Sequence, residues 1–257
     1  MNKLPYESTG NTLATRSGCT PGHQSAYLPG RRQWLAGLGA LALSLAGLST
    51  GVFSSSAQAQ TAPAAAGSPT TAAGAPRLLV VGDSLSAEYG IARGTGWVPL
   101  LQERLKKNGY SYQVINASIS GDTTSGGVSR MTGLLAQHKP EVVVVELGAN
   151  DALRGLALSM TERNLDQLVG DAKKSGAKVL VAGIQIPPNY GRDYTERFNA
   201  IFGKVAKTHQ AALVPFLMEG IATDREMFQN DGIHPTSAAQ PKLLENVWAR
   251  LEPLLKR

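Results

Sequence analysis

Between Arg77 and Arg257 the chain carries five short apolar runs separated by longer amphipathic stretches. The runs are RLLVV (Arg77–Val81), YQVINA (Tyr112–Ala117), EVVVVEL (Glu141–Leu147), AKVLVAGI (Ala177–Ile184) and AALVPFL (Ala211–Leu217). Three of them are nearly continuous Val, Leu and Ile with no polar alternation. A strand can be apolar on both sides only when both sides are covered, which is the situation in a parallel sheet. The stretches between repeat at helical spacing. WVPLLQERLKKNG begins at Trp97 and stops at Lys107–Asn108–Gly109. MTERNLDQLVGDAKKSG is expected to start from Thr161 as N-cap and to end at Gly176. RDYTERFNAIFGKVAKTHQ and TSAAQPKLLENVWARLEPLLKR complete the set, and no internal repeat is present. Strands alternating with helices predict an α/β chain: a three-layer, doubly wound sandwich around a central, mainly parallel sheet of about five strands.

The N-terminal part follows other rules. Arg31 and Arg32 precede an uncharged apolar run that closes on small residues and Ala57–Gln58–Ala59. A basic flank, an apolar core and an A-x-A site make an export signal, expected to be cleaved after Ala59. An uncleaved anchor is the alternative, because the run is just long enough to span a bilayer. The paired arginines leave both general secretory and twin-arginine export open. Residues 60–76 are rich in Ala, Pro, Thr and Gly and bury too little apolar surface to offset ordering, so they read as a flexible linker. Residues 77–257 remain as one domain, long enough for its own core. The expected location is periplasmic or secreted, with no stable membrane anchor once the signal is removed.

Cys19, the only cysteine, lies in the leader, so a disulfide framework, a thiolate nucleophile and a Cys-ligated metal are all excluded for the mature chain. The net charge is +6, of which Lys3, Arg16, Arg31 and Arg32 against Glu7 belong to the leader. The remainder has no basic cluster interleaved with aromatics, so nucleic acid is not an expected partner. Neither a Walker-type loop nor a G-x-G-x-x-G after a strand occurs in the mature chain, which argues against a nucleotide or phosphate binder.

In doubly wound folds ligands bind beyond the carboxyl ends of the strands. The segments there are GDSLS, SISGDT, GAND and IQIPPNYG, and NDGIHP precedes the last helix. Ser84 follows a strand and is either a nucleophile or an ordinary cap of the next helix. Of the four histidines, His23 is in the leader, while His138 and His209 end helices at the far side of the unit. His234 alone is on the functional edge. Asp231, three residues earlier, either shapes an Asp-Gly turn or accepts the Nδ1 proton of His234 and fixes its tautomer. A metal reading is weaker, because one histidine and scattered acids give no ligand set. Donors for an oxyanion are available at the Ser84 N–H, the Gly121 N–H and the Asn150 carboxamide, although Gly121 also reads as a turn glycine and Asn150 as an Asx turn.

GDSLS, Gly121 in SISGDT, GAND and DGIHP, in that order, resemble the four blocks of the SGNH (GDSL-type) hydrolases. The likeness runs on through VVVELGANDALRGL, QIPPNYGRDYTERFNAIF and DGIHPTSAAQP, which look like the bacterial periplasmic multifunctional thioesterase/lysophospholipase/arylesterase group. The resemblance implies a flavodoxin-like SGNH-hydrolase fold. It assigns Ser84, Gly121, Asn150 and His234 as the signature residues, with Asp231 as the triad acid. The implied reaction is hydrolysis of small-molecule acyl esters, thioesters or lysophospholipids through an acyl-enzyme; no cofactor or metal is expected, and the domain is expected to be a monomer. A carbohydrate acetylesterase of the same superfamily and a non-catalytic exported binding domain are the alternatives. Leu153, Leu156 and Leu158, with Ile186, Pro187, Pro188 and Tyr190, are expected to wall an acyl groove. Core packing beneath a loop is the competing reading for Leu153–Leu158.

Overall fold

The computed structural model describes residues 74–257. The export signal at 1–59, and the linker at 60–76 apart from its last three residues, lie outside them.

Five strands form one sheet: β1 Arg77–Gly82, β2 Gln113–Asn116, β3 Val142–Glu146, β4 Lys178–Ala182 and β5 Ala212–Val214. Their order is β2-β1-β3-β4-β5. Every neighbouring pair is parallel, with Val80 level with Asn116 on one side and Val144 on the other. Leu78–Val81 and Val142–Val145 are fully buried, as two-sided cover requires. β2 to β5 are shorter than the apolar runs that announced them, whereas β1 runs one residue further, to Gly82. AALVPFL pairs only over Ala212–Val214, because Pro215 has no N–H for the ladder. Phe216 and Leu217 beyond it stay buried as loop residues, so the run continues past the strand for reasons of packing.

The helices are α1 Trp97–Lys107, α2 Thr124–His138, α3 Ala149–Leu153, α4 Leu158–Lys174, α5 Arg192–Thr208 and α6 Gln240–Leu251. α1 packs with α6, and α4 packs with both α2 and α5. With parallel strands joined in this order, the two groups form the outer layers of the sandwich. α1 shows why they form. Trp97, Val98, Leu101 and Leu105 are buried at helical spacing, while Glu103, Lys106 and Lys107 face solvent. α4 starts at Leu158 with Ala157 as N-cap, four residues earlier than expected. Thr161 is therefore not its N-cap but a fully buried residue of its first turn.

Strand order reverses beside β1. The connection from β1 leads to β2, and the next crossover returns past β1 to β3. The loops leaving β1 and β3 thus diverge and open a crevice at the carboxyl edge, the usual ligand position in such sheets. Ser84 follows β1, and Asn150 follows β3.

Candidate active site

Ser84 lies in a tight turn immediately after β1. The Ser86 and Ala87 amides donate to the Asp83 carbonyl at 3.2 and 2.9 Å, and the Leu85 amide donates to Asp83 Oδ1 at 3.1 Å. No helix begins here. The next one, α1, starts at Trp97, so Ser84 is not a helix cap. Its Oγ is 2.9 Å from His234 Nε2. His234 Nδ1 is 2.7 Å from Asp231 Oδ2, and Asp231 Oδ1 accepts the Ile233 and His234 amides at 2.9 and 3.0 Å. Those amide bonds, the His234 amide first, lower the Asp231 carboxyl to about 2. An ionised carboxylate only accepts, so Nδ1 carries the proton and Nε2 is left to accept from the serine hydroxyl.

The loop bearing Asp231 and His234 is fastened by main-chain carbonyls. Arg225 donates to the carbonyls of Phe228, Gln229 and Asn230. The Gln229 amide donates to the His234 carbonyl at 2.8 Å, and Gln229 Nε2 reaches across to the Tyr89 carbonyl at 2.9 Å. The Tyr89 ring covers one side of the imidazole, with centroids 4.4 Å apart. Loops from β1 and from the last connection are thereby held together.

Gly121 has φ +78°, a conformation that costs other residues but not glycine. Its carbonyl accepts from Arg154 Nη2 at 2.7 Å. Among the described residues, neither the Ser84 nor the Gly121 N–H donates to a protein acceptor. Asn150 Nδ2 donates to Asp83 Oδ2 at 3.0 Å and to the Asp122 carbonyl at 2.9 Å, so it must yield or share one of these bonds to serve a ligand. Arg130 binds Asp122 Oδ2 at 2.9 Å and also donates to the Ala117 and Gly82 carbonyls, which ties the ends of β1 and β2 together. His138 and His209 end α2 and α5, and His209 Nε2 meets Asp166 at 2.7 Å, apart from Ser84.

GAND, expected as a loop, is helical from Ala149 onward. Five residues are too few to show a period in sequence. Its two polar residues divide the work, since Asn150 faces Asp83 while Asp151 turns inward. Asp151 is 1% exposed and accepts the Thr124 amide at 2.9 Å together with the Thr124 and Thr161 hydroxyls. It therefore joins α3 to the starts of α2 and α4. Sequence reasoning passed over it, because its partners are distant in the chain. Asp151→Ala is expected to cost about 3 kcal/mol by stranding buried donors. Urea unfolding checks this: the midpoint should fall with an unchanged slope.

The expected groove residues separate. Leu158 and Ile186 are buried in the core, Leu153 and Leu156 are half-buried, and Pro187 and Tyr190 are exposed. Pro188 opens a 3₁₀ turn with Tyr190. The Tyr194 hydroxyl donates to the Leu156 carbonyl at 3.3 Å, linking α5 to the α3–α4 loop. A separate cleft of about 470 Å³ along β5 is lined by Ala212, Leu213, Pro215 and Pro253 and contains none of the site residues. Its lining holds no nucleophile or base, so chemistry and not cavity size identifies the candidate site.

A sequence model of the GDSL-like Lipase/Acylhydrolase family matches residues 80–240, a span that includes every loop just described. The chain is 55% identical over 186 residues to Esterase TesA of Pseudomonas aeruginosa, covering 72% of this chain and 92% of that protein. It is 44% identical over 184 residues to Thioesterase 1/protease 1/lysophospholipase L1 of Escherichia coli K12, covering 72% and 87%. Among solved structures, the crystal structure of TesA matches with a TM-score of 0.68 at 55% identity, covering 70% of this chain and 99% of that one. The psychrotrophic esterase EstA from Pseudoalteromonas sp., inhibited by monoethylphosphonate, matches with a TM-score of 0.66 at 38% identity, covering 69% and 97%.

Proposed function

Since the chain belongs to the GDSL-like lipase/acylhydrolase family and is a hydrolase acting on ester bonds, we propose that it cleaves carboxylic esters and thioesters through an acyl-enzyme on Ser84. The observation that carries this reading is the unbroken chain from Ser84 Oγ through His234 to Asp231, at 2.9 and 2.7 Å. A serine hydroxyl is a weak nucleophile until a base takes its proton. In the proposed cycle His234 Nε2 accepts that proton as Ser84 Oγ bonds to the substrate carbonyl carbon. Asp231 holds the imidazolium that forms. The negative oxygen is met by the Ser84 and Gly121 amides and by one N–H of Asn150, released from its resting partner. His234 then returns the proton to the departing alcohol or thiol. A water activated in the same way hydrolyses the acyl-enzyme and frees Ser84.

Thioesterase, lysophospholipase and arylesterase in the names of the relatives support small-molecule acyl and aryl esters as the substrate class. Leu153, Leu156, Pro187 and Tyr190 supply accessible apolar surface for the acyl group, while Leu158 and Ile186 belong to the buried core. Solved acetyl-xylan esterases match at 20% identity with a TM-score of 0.60, a likeness of fold alone. We also read residues 1–59 as a cleaved signal and 60–76 as a tether that together place a monomeric domain, 77–257, outside the cytoplasm. A mature N-terminus at Gln60, read by mass spectrometry of the exported protein, checks the cleavage.

An alkyl phosphonate probe is expected to label Ser84, as shown by peptide mapping, and to abolish p-nitrophenyl ester turnover in step with labelling. No labelling together with no turnover would refute the acyl-enzyme. A series of acyl esters and thioesters from acetyl to palmitoyl tests the groove: flat kcat/KM across the series removes it.

A further inference from the structure

Behind the Ser84 turn lies a pair of carboxyl groups that the proposed cycle does not use. Asp83 and Glu146, at the ends of β1 and β3, are both 0% exposed. Glu146 Oε2 accepts the Ser86 hydroxyl at 2.7 Å and the Asp83 amide at 3.3 Å, while its Oε1 is buried without a partner. Gly82 leaves room for this arrangement. A Cβ there would sit 2.7 Å from Glu146 Oε2 and 2.8 Å from Ser86 Oγ. Asp83 is gripped on both oxygens. Oδ1 accepts the Leu85 amide at 3.1 Å, and Oδ2 accepts Asn150 Nδ2 at 3.0 Å. One side chain therefore touches both the turn that carries Ser84 and the carboxamide on α3, 67 residues further along the chain.

We propose that Asp83 is a positioning residue for ester hydrolysis, holding the Asn150 carboxamide and the Ser84 turn in one frame so that their donors converge on the same developing oxyanion. This rests on the assignment of Asn150 as an oxyanion donor. The frame matters because misplacing a catalytic group by about 1 Å costs on the order of a hundredfold in rate. The two buried acids are not equivalent. Burial, reinforced by the Asp83 charge, holds Glu146 well above the usual carboxylate range. Burial lifts Asp83 too, to about 6, against the pull of the Leu85 amide, His234 and Asn150. Asp83 is thus the more readily ionised member of the pair. The folded protein holds the Asp83 proton more tightly than the unfolded chain, so ionisation costs stability as pH rises from about 4 through about 6.

Asp83→Asn is the informative substitution. Its amide keeps the volume and still offers one oxygen to the Leu85 amide, but then turns an NH₂ group toward the NH₂ of Asn150. It also removes a buried charge. Turnover of a p-nitrophenyl ester and thermal melting are measured for Asp83→Asn, Asn150→Ala and the double variant at pH 7.5. Asn150→Ala is expected to lower kcat by about 10²–10³. Asp83→Asn is expected to lower kcat by about 10–100-fold with KM nearly unchanged and with Tm equal to or above wild type. In the Asn150→Ala background it should change kcat by no more than about threefold, because the group it positions is gone. Wild-type kcat in Asp83→Asn, or the same fold loss in both backgrounds, overturns the proposal. So does a steep fall in Tm that accounts for the lost activity, which would make Asp83 a structural residue only. Wild-type kcat in Asn150→Ala removes the donor assignment and the proposal with it, whereas an impaired Asn150→Ala beside a normal Asp83→Asn overturns the positioning role alone.

Discussion

Ser84→Ala is expected to lower kcat/KM toward p-nitrophenyl esters by about 10⁴–10⁶-fold while leaving the melting temperature unchanged. The Ser84 side chain is half-buried, and its hydroxyl meets His234 Nε2 at 2.9 Å. Removing one oxygen there opens no core cavity and strands no buried donor, so the fold has little to lose. His234→Ala should match it, because the serine hydroxyl without its base is again a weak nucleophile. The double variant should be no slower than either single one, since the two residues act as a unit. Steady-state rates of the three variants, normalised to folded protein, check this. Multiplying losses would show that the residues work independently and would dismantle the triad.

The second large effect is expected at Asp231. Asp231→Asn should reduce kcat by about 10³–10⁴-fold, the scale seen when a triad acid becomes its amide. The loop need not move. The asparagine oxygen can replace Oδ1 as acceptor for the Ile233 and His234 amides, which donate at 2.9 and 3.0 Å. Its NH₂ then faces His234 Nδ1, which must become the acceptor. The imidazole proton shifts to Nε2 and points at Ser84 Oγ, leaving no base. In the wild type the carboxyl sits near 2 because the His234 and Ile233 amides donate to it. Its folded-state value is below its unfolded one, so its contribution to stability is present above about pH 4 and is lost as pH falls toward 2. The rate deficit of Asp231→Asn should accordingly be as large at pH 6 as at pH 8. A deficit that vanishes at either pH would mean that the carboxylate does not set the tautomer.

How much of this was legible in the sequence depended on the range of the interactions. The five strands could be placed because two-sided burial leaves uninterrupted Val, Leu and Ile, as in Val142–Val145. Their ends could not, because Leu147, Ile184 and Leu217 are buried just beyond the ladder and look the same in sequence as strand residues. Ser84, Gly121, Asn150, Asp231 and His234 stood out because each falls in a short block after a strand or before a helix. The residues that hold them carried no local signal. Arg225 reads as a surface cation, although it binds three carbonyls. Glu146 reads as the last residue of a strand, although it lies under the Ser84 turn, 60 residues from its Ser86 partner. Asp151 looks like half of a turn signal, although it joins three helices. The proposed groove was half visible: hydrophobicity marked Leu153–Leu158 and Ile186–Tyr190, but only depth separates Leu158 and Ile186 from their exposed neighbours.

Ser84 and His234 lie 150 residues apart, and this has a consequence for how the protein comes into being. The proposed nucleophile is translated 150 residues before its proposed base. A growing or partly threaded chain therefore possesses a serine without its base. Esterase activity should appear only when the segment carrying His234 folds back against the Ser84 turn, and on refolding from urea it should return with the slowest structural phase and not before it.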